Sequence, residues 1–330
     1  MAGQILVTGA NGFVGLALCR FLRNSGCLVR GAVRETARGS SHDRSTRDGI
    51  EWVVLHDQSG GEETRQKLRG VEVIVHLAAR VHVMADTSAD PLHAFRKVNV
   101  VWTERLARAA TAEGIRRFVY MSSIKVNGEQ SRVPFTERDP PNPQDPYGLS
   151  KWEAEQALAT VSSQTGLETV VIRSPLVYGP GVGGNFLQLL QVLGKGIPLP
   201  LAGVENRRSL IYRENLVDAL SRCVHHQAAR GQTYLVSDGE DLSTPELLRR
   251  LGKALSVSVC LWPLPLSMLD GIGQLVGKQV VVDRLLRSLP VDSSKIRKEL
   301  DWHPPFSVDQ GFAATADWFR AEATNRVMAS

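Results

Sequence analysis

Ile5-Leu6-Val7-Thr8-Gly9-Ala10-Asn11-Gly12-Phe13-Val14-Gly15 is the stretch on which the fold turns. A short aliphatic run, Gln4–Val7, reads as a strand and passes directly into glycines spaced GxxGxxG. Phe13–Arg23 follows, with apolar residues on one helical face. Each glycine then has a physical task. Gly9 permits the tight turn, Gly12 lets backbone approach a pyrophosphate, and Gly15 lets helix and strand pack closely. The phosphate charge faces the positive N-terminus of the helix. Alone, this spacing is a weak signal. Between a strand and a helix it marks a dinucleotide site made of Gly9, Asn11, Gly12, Phe13, Val14 and Gly15.

The pattern continues outward from that loop. Leu28–Val33 and Trp52–Leu55 read as strands and Glu62–Leu68 as a short helix. Val71–Leu77 is nearly continuous in its apolar character, as a strand covered on both faces should be. Pro91–Glu113 reads as one long helix, Arg117–Ser122 as a strand, Pro146–Thr165 as a helix and Thr169–Arg173 as a strand. Strict β–α alternation predicts an α/β fold of the Rossmann type, a doubly wound parallel sheet. After Ser174 the rhythm loosens, with proline and glycine clustered in PLVYGPGVGG and GKGIPLPLAG. Residues 1–174 are therefore expected to form the nucleotide-binding domain, and 175–330 a smaller substrate lobe partly intertwined with it. The strand-like run Gln232–Asp238 is a candidate to return to the main sheet.

Composition narrows the function. The 330 residues carry 39 Lys and Arg against 34 Asp and Glu, a net charge of +5. These charges are scattered rather than gathered into a stripe, which argues against a nucleic-acid partner. Cys19, Cys27, Cys223 and Cys260 form no CxxC pair, and the histidines show no metal-ligand spacing. They read as buried thiols in a reducing compartment, with no metal site. The N-terminus lacks the pattern of a signal peptide. The most apolar later stretch, Val257–Val276, is broken by Pro263, Pro265, Asp270, Gly271 and Gly273. That falls short of the roughly 18 apolar residues a membrane span needs. A cytoplasmic protein with no membrane partner is expected.

The end of the second strand bears on cofactor choice. An acidic residue about twenty residues after the glycines bonds a free ribose 2′-hydroxyl, whereas arginine favours a 2′-phosphate. Here Val33 holds the acidic position and Arg34 follows, with Arg30 and Arg38 able to assist. NADP(H) is favoured and NAD(H) remains open. Asp57, just after the strand WVVL, is placed to accept from an adenine amino group or to cap the next turn.

Asp145-Pro146-Tyr147-Gly148-Leu149-Ser150-Lys151 puts Tyr147 and Lys151 on one helix face. An ammonium beside a phenol favours the phenolate, which would bring Tyr147 into range as an acid or base. Upstream, Met121-Ser122-Ser123 ends a strand at the carboxyl edge of the sheet, where a hydroxyl can meet a substrate oxygen.

With TGANGFVG, HLAA (Leu77, Ala78 and Ala79 included), Asn99, SSIKVNG, YGLSK and RSPLVYGP, the chain resembles the extended short-chain dehydrogenase/reductases. More narrowly it resembles their nucleotide-sugar epimerase/dehydratase branch, and DSSKIRKELDWHPP extends the likeness to the C-terminal segment. The resemblance implies a catalytic Ser123, Tyr147 and Lys151, with Ser122 the weaker hydroxyl candidate. It also implies that Lys151 holds the nicotinamide ribose and that backbone near Tyr178 lies beside the nicotinamide. Arg208 would grip a UDP diphosphate, Asn185 would lie near it, and Arg284 and Arg287 compete for a second phosphate contact. Ser123, Lys125 and Tyr147 would face the sugar, and Asn99 would be structural. A homodimer through the helices bearing Asn99 and Tyr147 is also implied.

Two departures shape the reaction. Where 4,6-dehydratases of the branch carry an Asp-Glu pair after the catalytic hydroxyl, this chain has Ile124 and Lys125, which argues against dehydration. The epimerase VYG motif is Val126-Asn127-Gly128 here, and the strand-2 acid is missing. Both lean towards NADPH-dependent reduction of a UDP-linked 4-keto hexose, of the 2-acetamido-2,6-dideoxy kind used in O-antigen. The alternative is a UDP-hexose 4-epimerase with tightly bound NAD.

Overall fold

Alternating apolar runs and amphipathic helices build a layered α/β molecule in the computed structural model, which describes residues 3–34, 48–81, 90–275 and 279–328. The first half runs β1 (Gln4–Thr8), α1 (Phe13–Asn24), β2 (Val29–Val33), β3 (Glu51–Val54), α2 (Gly61–Leu68) and β4 (Val71–His76). Next come α3 (Pro91–Arg96), a π-helical turn at Lys97–Val101 and α4 (Trp102–Ala112), then β5 (Arg117–Ser123), α5 (Pro146–Thr165) and β6 (Glu168–Ser174). The second half adds β7 (Leu176–Tyr178), α6 (Gly184–Gly194), β8 (Arg208–Tyr212), α7 (Arg213–His225), β9 (Thr233–Leu235) and β10 (Asp241–Leu242). It closes with α8 (Thr244–Leu255), α9 (Leu266–Leu275), α10 (Gln279–Leu286), α11 (Ser294–Leu300) and α12 (Val308–Met328).

Among the described residues the main sheet has seven strands in the order β3-β2-β1-β4-β5-β6-β9. Its pairings are parallel throughout. The chain leaves β1 towards β2 and β3, then reverses to β4, so the switch point lies between β1 and β4. Ligands of such sheets bind outside the strand ends there. Successive strand residues feed opposite layers: Val7 and Val75 pack with Leu18, Leu216 and Leu220 of α1 and α7, whereas Leu6 and Ile74 pack with Leu106 and Leu158 of α4 and α5.

The second half completes the first. β9 pairs with β6, Val171 opposite Thr233 and Ile172 opposite Tyr234, within the run Gln232–Asp238 read as strand-like. A separate three-stranded sheet, β10-β8-β7, carries the second lobe. Tyr178, Phe186, Leu190, Tyr212, Leu248 and Phe312 form its core.

The single helix expected over Pro91–Glu113 is interrupted by the π turn at Lys97–Val101. A widened turn leaves the apolar period almost intact, so it is invisible in sequence, yet it often marks a functional site. By contrast α5 spans Pro146–Thr165, as its sequence predicts. Asp145 caps it by accepting from the Gly148 N–H at 2.6 Å, Pro146 occupies the first turn, and Gly166 ends it at φ 77°.

Candidate active site

The glycine loop has the cramped geometry its residues require. Gly9 sits at φ +66°, and a Cβ there would lie 3.0 Å from the Ala78 nitrogen. A Cβ on Gly15 would fall 2.1 Å from the Gly9 carbonyl oxygen, so only glycine lets α1 start this close to β1. Gly12 precedes α1 with no side-chain cap, and the first turn holds no acidic residue. The N–H groups of that turn are thus available to an anion. Phe13 lies under the Arg213 guanidinium at 5.4 Å, and Arg213 also donates to the Pro180 carbonyl. The second lobe is thereby fixed against the loop. The cradle fits the diphosphate of a dinucleotide.

The ends of β1 and β4 are tied by a hydroxyl–imidazole chain. Thr103 donates to the Asn99 carbonyl at 2.7 Å, so it accepts from His76 Nε2–H at 3.0 Å. His76 Nδ1 is then bare and accepts from the Thr8 hydroxyl at 2.7 Å. Thr8 Oγ1 in turn accepts the Leu77 and Ala78 N–H groups at 3.2 and 3.1 Å. Burial lowers the His76 pKa to about 3, with the charge of Lys151 acting the same way. The ring stays neutral and every partner is satisfied.

Ser123, at the end of β5, and Tyr147 and Lys151, on the first turns of α5, are brought together. Desolvation raises the Tyr147 phenol above its ordinary value, the Asp145 carboxylate adds to the rise, and a hydrogen bond with Ser123 opposes it. Lys151 is buried and donates to the Met121 carbonyl at 2.7 Å. Its ammonium lies over the Tyr120 ring at 4.6 Å and the Tyr147 ring at 6.0 Å. Burial lowers Lys151 to about 7, with Glu155 opposing. The depression of Tyr147 by Lys151 that the sequence predicts is therefore outweighed: among the chain's own groups desolvation dominates, pushing phenol and amine alike towards neutrality.

A buried polar network lies behind this group. Arg173 grips Glu155 with two bonds of 3.0 and 2.6 Å, reaches the Asn127 amide oxygen at 3.0 Å, and Ser122 donates to the same carboxylate. Asn127 also donates to the Thr136 carbonyl at 3.0 Å. The two serines are thus told apart by partner, Ser122 serving Glu155 and Ser123 facing Tyr147. Glu155 was missed in sequence, although Tyr147, Lys151 and Glu155 stand four apart along one helix face. Asn127 supports this network, so its departure from VYG has a packing reason. Asn99 is structural as expected, donating to the Arg80 carbonyl at 3.0 Å and to Ser150 at 2.9 Å, while its oxygen accepts from the Arg80 N–H.

The remaining residues divide. Burial and the neighbouring charge of Arg284 lower Arg208 to about 10, with Glu129 opposing. Two guanidinium groups held close enough to repel suit a multiply charged anion. Arg287 pairs with Asp283 at 3.2 Å and gives its carbonyl to Arg208 at 2.9 Å. Asn185, in the first turn of α6, has a buried amide oxygen with no partner among the described residues. The Tyr178 side chain is fully buried, donating to Asp238 at 2.8 Å, which leaves only its backbone to meet a ligand. Lys125, expected to face the sugar, has its ammonium on Glu129 at 2.6 Å and on Asp145.

At the adenosine end Arg34 reaches the Ala79 carbonyl at 3.4 Å from an exposed position. Arg30 cannot assist it: that guanidinium is held by Glu51 at 3.0 Å and by the Lys67 and Arg69 carbonyls at 2.7 and 3.0 Å. Arg38 lies outside the described residues. Asp57 stands 4.0 Å from Lys97, and its backbone carbonyl accepts from Arg105 at 3.1 Å.

A doubly wound sheet with a glycine cradle at its switch point and a Ser-Tyr-Lys group at its carboxyl edge defines a dinucleotide-dependent enzyme of the extended short-chain dehydrogenase/reductase type. The chain belongs to the NAD dependent epimerase/dehydratase family, whose model matches residues 5–237. It is 42% identical over 330 residues to a UDP-glucose 4-epimerase of Vibrio cholerae, covering 99% of this chain and 98% of that one. Its fold is that of the UDP-glucuronic acid 4-epimerase of Bacillus cereus in complex with NAD, at a TM-score of 0.78, 20% identity and coverage of 97% and 99%. The UDP-glucose 4-epimerase of Thermotoga maritima, solved with UDP-glucose, matches at 0.76 with 21% identity, over 97% and 99% of the two chains. Among the described residues no helix is long and apolar enough to cross a membrane.

Proposed function

We propose that the chain is a UDP-hexose 4-epimerase acting through a 4-keto sugar, rather than primarily the 4-ketoreductase that its sequence motifs favour. The observation that carries this reading is the meeting of Ser123, Tyr147 and Lys151 at the carboxyl edge of a sheet whose switch point carries the glycine cradle. The full-length likeness to a UDP-glucose 4-epimerase supports it. A bound nicotinamide would supply reversible hydride transfer at C4. Tyr147 takes the C4 hydroxyl proton as that carbon is oxidised and returns it to the alkoxide when the ketone is reduced on its other face. Ser123 orients the C4 oxygen, Lys151 holds the ribose, and Arg208, Arg284 and Asn185 hold the diphosphate. We also read the outward faces of the π turn, α4 and α5, with Val101 of the turn 51% exposed, as the contact of a homodimer.

The second reading is NADPH-dependent reduction of a UDP-linked 4-keto sugar, as in O-antigen supply. One observation favours it: β2 ends in Val33 and the exposed Arg34, which offers a cation where a 2′-phosphate would lie. The test is direct. UDP-glucose or UDP-N-acetylglucosamine is supplied without added cofactor, and UDP-4-keto-6-deoxy-N-acetylglucosamine with NADPH. C4 inversion in the first assay without net cofactor change supports the epimerase. Its absence, together with stoichiometric NADPH oxidation in the second, replaces that reading with the reductase.

A further inference from the structure

The turn after β5 holds a charged group that the proposed chemistry does not use. Lys125 bonds Glu129 Oε1 at 2.6 Å and also the Asp145 carboxylate, which caps the helix that carries Tyr147. The Lys125 N–H reaches Ser123 Oγ at 3.3 Å. Its backbone packs so closely on α5 that a Cβ at Gly148 would lie 2.9 Å from the Lys125 carbonyl oxygen. One residue therefore touches Ser123 with its amide, the first turn of α5 with its carbonyl, and the helix-capping carboxylate with its ammonium. Tyr147 stands among all three.

We propose that Lys125 is a positioning residue: its ammonium neutralises the Asp145 carboxylate beside the Tyr147 phenol, while its backbone fixes Ser123 and the start of α5. This rests on Tyr147 being the acid–base group of the proposed reaction. A carboxylate next to a phenol opposes loss of the phenol proton, and Asp145 acts on Tyr147 in that sense. Pairing with a cation weakens that field. Lys151 on its own helix and Tyr120 and Ser123 on β5 also meet Tyr147, with Glu155 acting on Lys151 and Glu129 bonded to Lys125. From α3 the Phe95 ring meets Tyr147 at 6.0 Å, with Arg80 lying over the Phe95 ring at 5.6 Å. Among these groups Lys125 bonds the carboxylate that acts on the phenol.

The test follows the ionisation of Tyr147 in the dinucleotide-loaded full chain through the pH profile of turnover, whose Tyr147 limb is assigned by its loss in Tyr147→Phe. That readout holds whichever sugar the enzyme converts. Lys125→Met should raise the titration midpoint by about one pH unit and Lys125→Arg should restore it. Asp145→Asn, which keeps the helix cap, should lower the midpoint. In the Asp145→Asn background, Lys125→Met should have little further effect. If Lys125→Met fails to fold, Lys125→Arg and Asp145→Asn still decide through their midpoints. A raised KM for the UDP-sugar with an unmoved midpoint would make Lys125 a substrate contact and overturn the proposal. An equal Lys125→Met shift with and without Asp145 would overturn it too, since the lysine would then act directly.

Discussion

In the proposed reaction Tyr147 and Ser123 carry the chemistry, whereas Ser122 bonds Glu155 and supports it. Tyr147→Phe keeps the ring against Phe95 and removes only the hydroxyl. Turnover should fall by roughly 10²–10⁴, the usual loss of a general acid–base, with folding unchanged. Ser123→Ala should lose less, because water can replace its hydrogen bond. Ser122→Ala should behave differently again: turnover largely kept, and stability lower by about 1–3 kcal/mol as the buried Glu155 loses a donor. Turnover and thermal unfolding measured on all three variants check the division. Equal losses of turnover for the two serines would contradict it. Tyr147 and Lys151 were legible in sequence because helical period alone places them on one face. Glu155 was not, since a carboxylate on a helix ordinarily reads as a solvated charge. Its long-range partners Arg173 and Ser122 explain why it is buried.

Elements meet their neighbours here through single atoms, and two of those meetings make predictions. Gly15→Ala would put a methyl 2.1 Å from the Gly9 carbonyl oxygen, where backbone has nowhere to go. Displacing α1 from β1 should destabilise the chain by about 1–3 kcal/mol and weaken dinucleotide binding, both readable by calorimetry. His76 joins β1, β4 and α4 as a neutral ring. Its pKa is about 3 when folded and 6.5 ordinarily, so the unfolded chain binds the extra proton between those values. Stability should therefore decline as pH falls from 6.5 towards 3, and be unaffected by this group above 6.5. In His76→Gln the dependence of unfolding free energy on pH across that window should shrink by up to one proton, measured by denaturant titration. An unchanged slope would mean that the ring is charged in the fold. The π turn that presents Asn99 escaped the sequence because hydrophobic period tolerates one extra residue per turn. The bounds of α5 did not escape it, because Asp145, Pro146 and Gly166 act locally.

Across the whole molecule, the proposed reaction assigns two anions to different parts of the chain, one to the glycine loop and one to Arg208 and Arg284. The cradle of Gly9, Gly12 and Gly15 is local and could be read directly. The pairing of Arg208 with Arg284 joins β8 to α10 and had no local signature, which is why Arg287 seemed an equal candidate. The three-residue β9 likewise gains its place only by pairing with β6. Separate sites imply separable affinities. Arg208→Ala should raise KM for a UDP-sugar while leaving dinucleotide affinity nearly unchanged, and equal losses would refute the two-lobe assignment. Arg34 supplies the complementary prediction at the far end of the cleft. It is the exposed cation at the end of β2, where an acidic residue would have read a 2′-hydroxyl. A partly exposed, charge-assisted contact with phosphate amounts to about 1.5–3 kcal/mol. Arg34→Ala should therefore weaken NADPH relative to NADH by about ten- to a hundredfold, as measured by fluorescence titration of each. Such a shift would carry weight beyond the residue. An enzyme that reads the 2′-phosphate can draw on exchangeable NADPH, the economy of a net reductase. Equal losses for the two cofactors would remove the one structural observation in favour of reduction, and leave the epimerase reading unopposed at this end of the site.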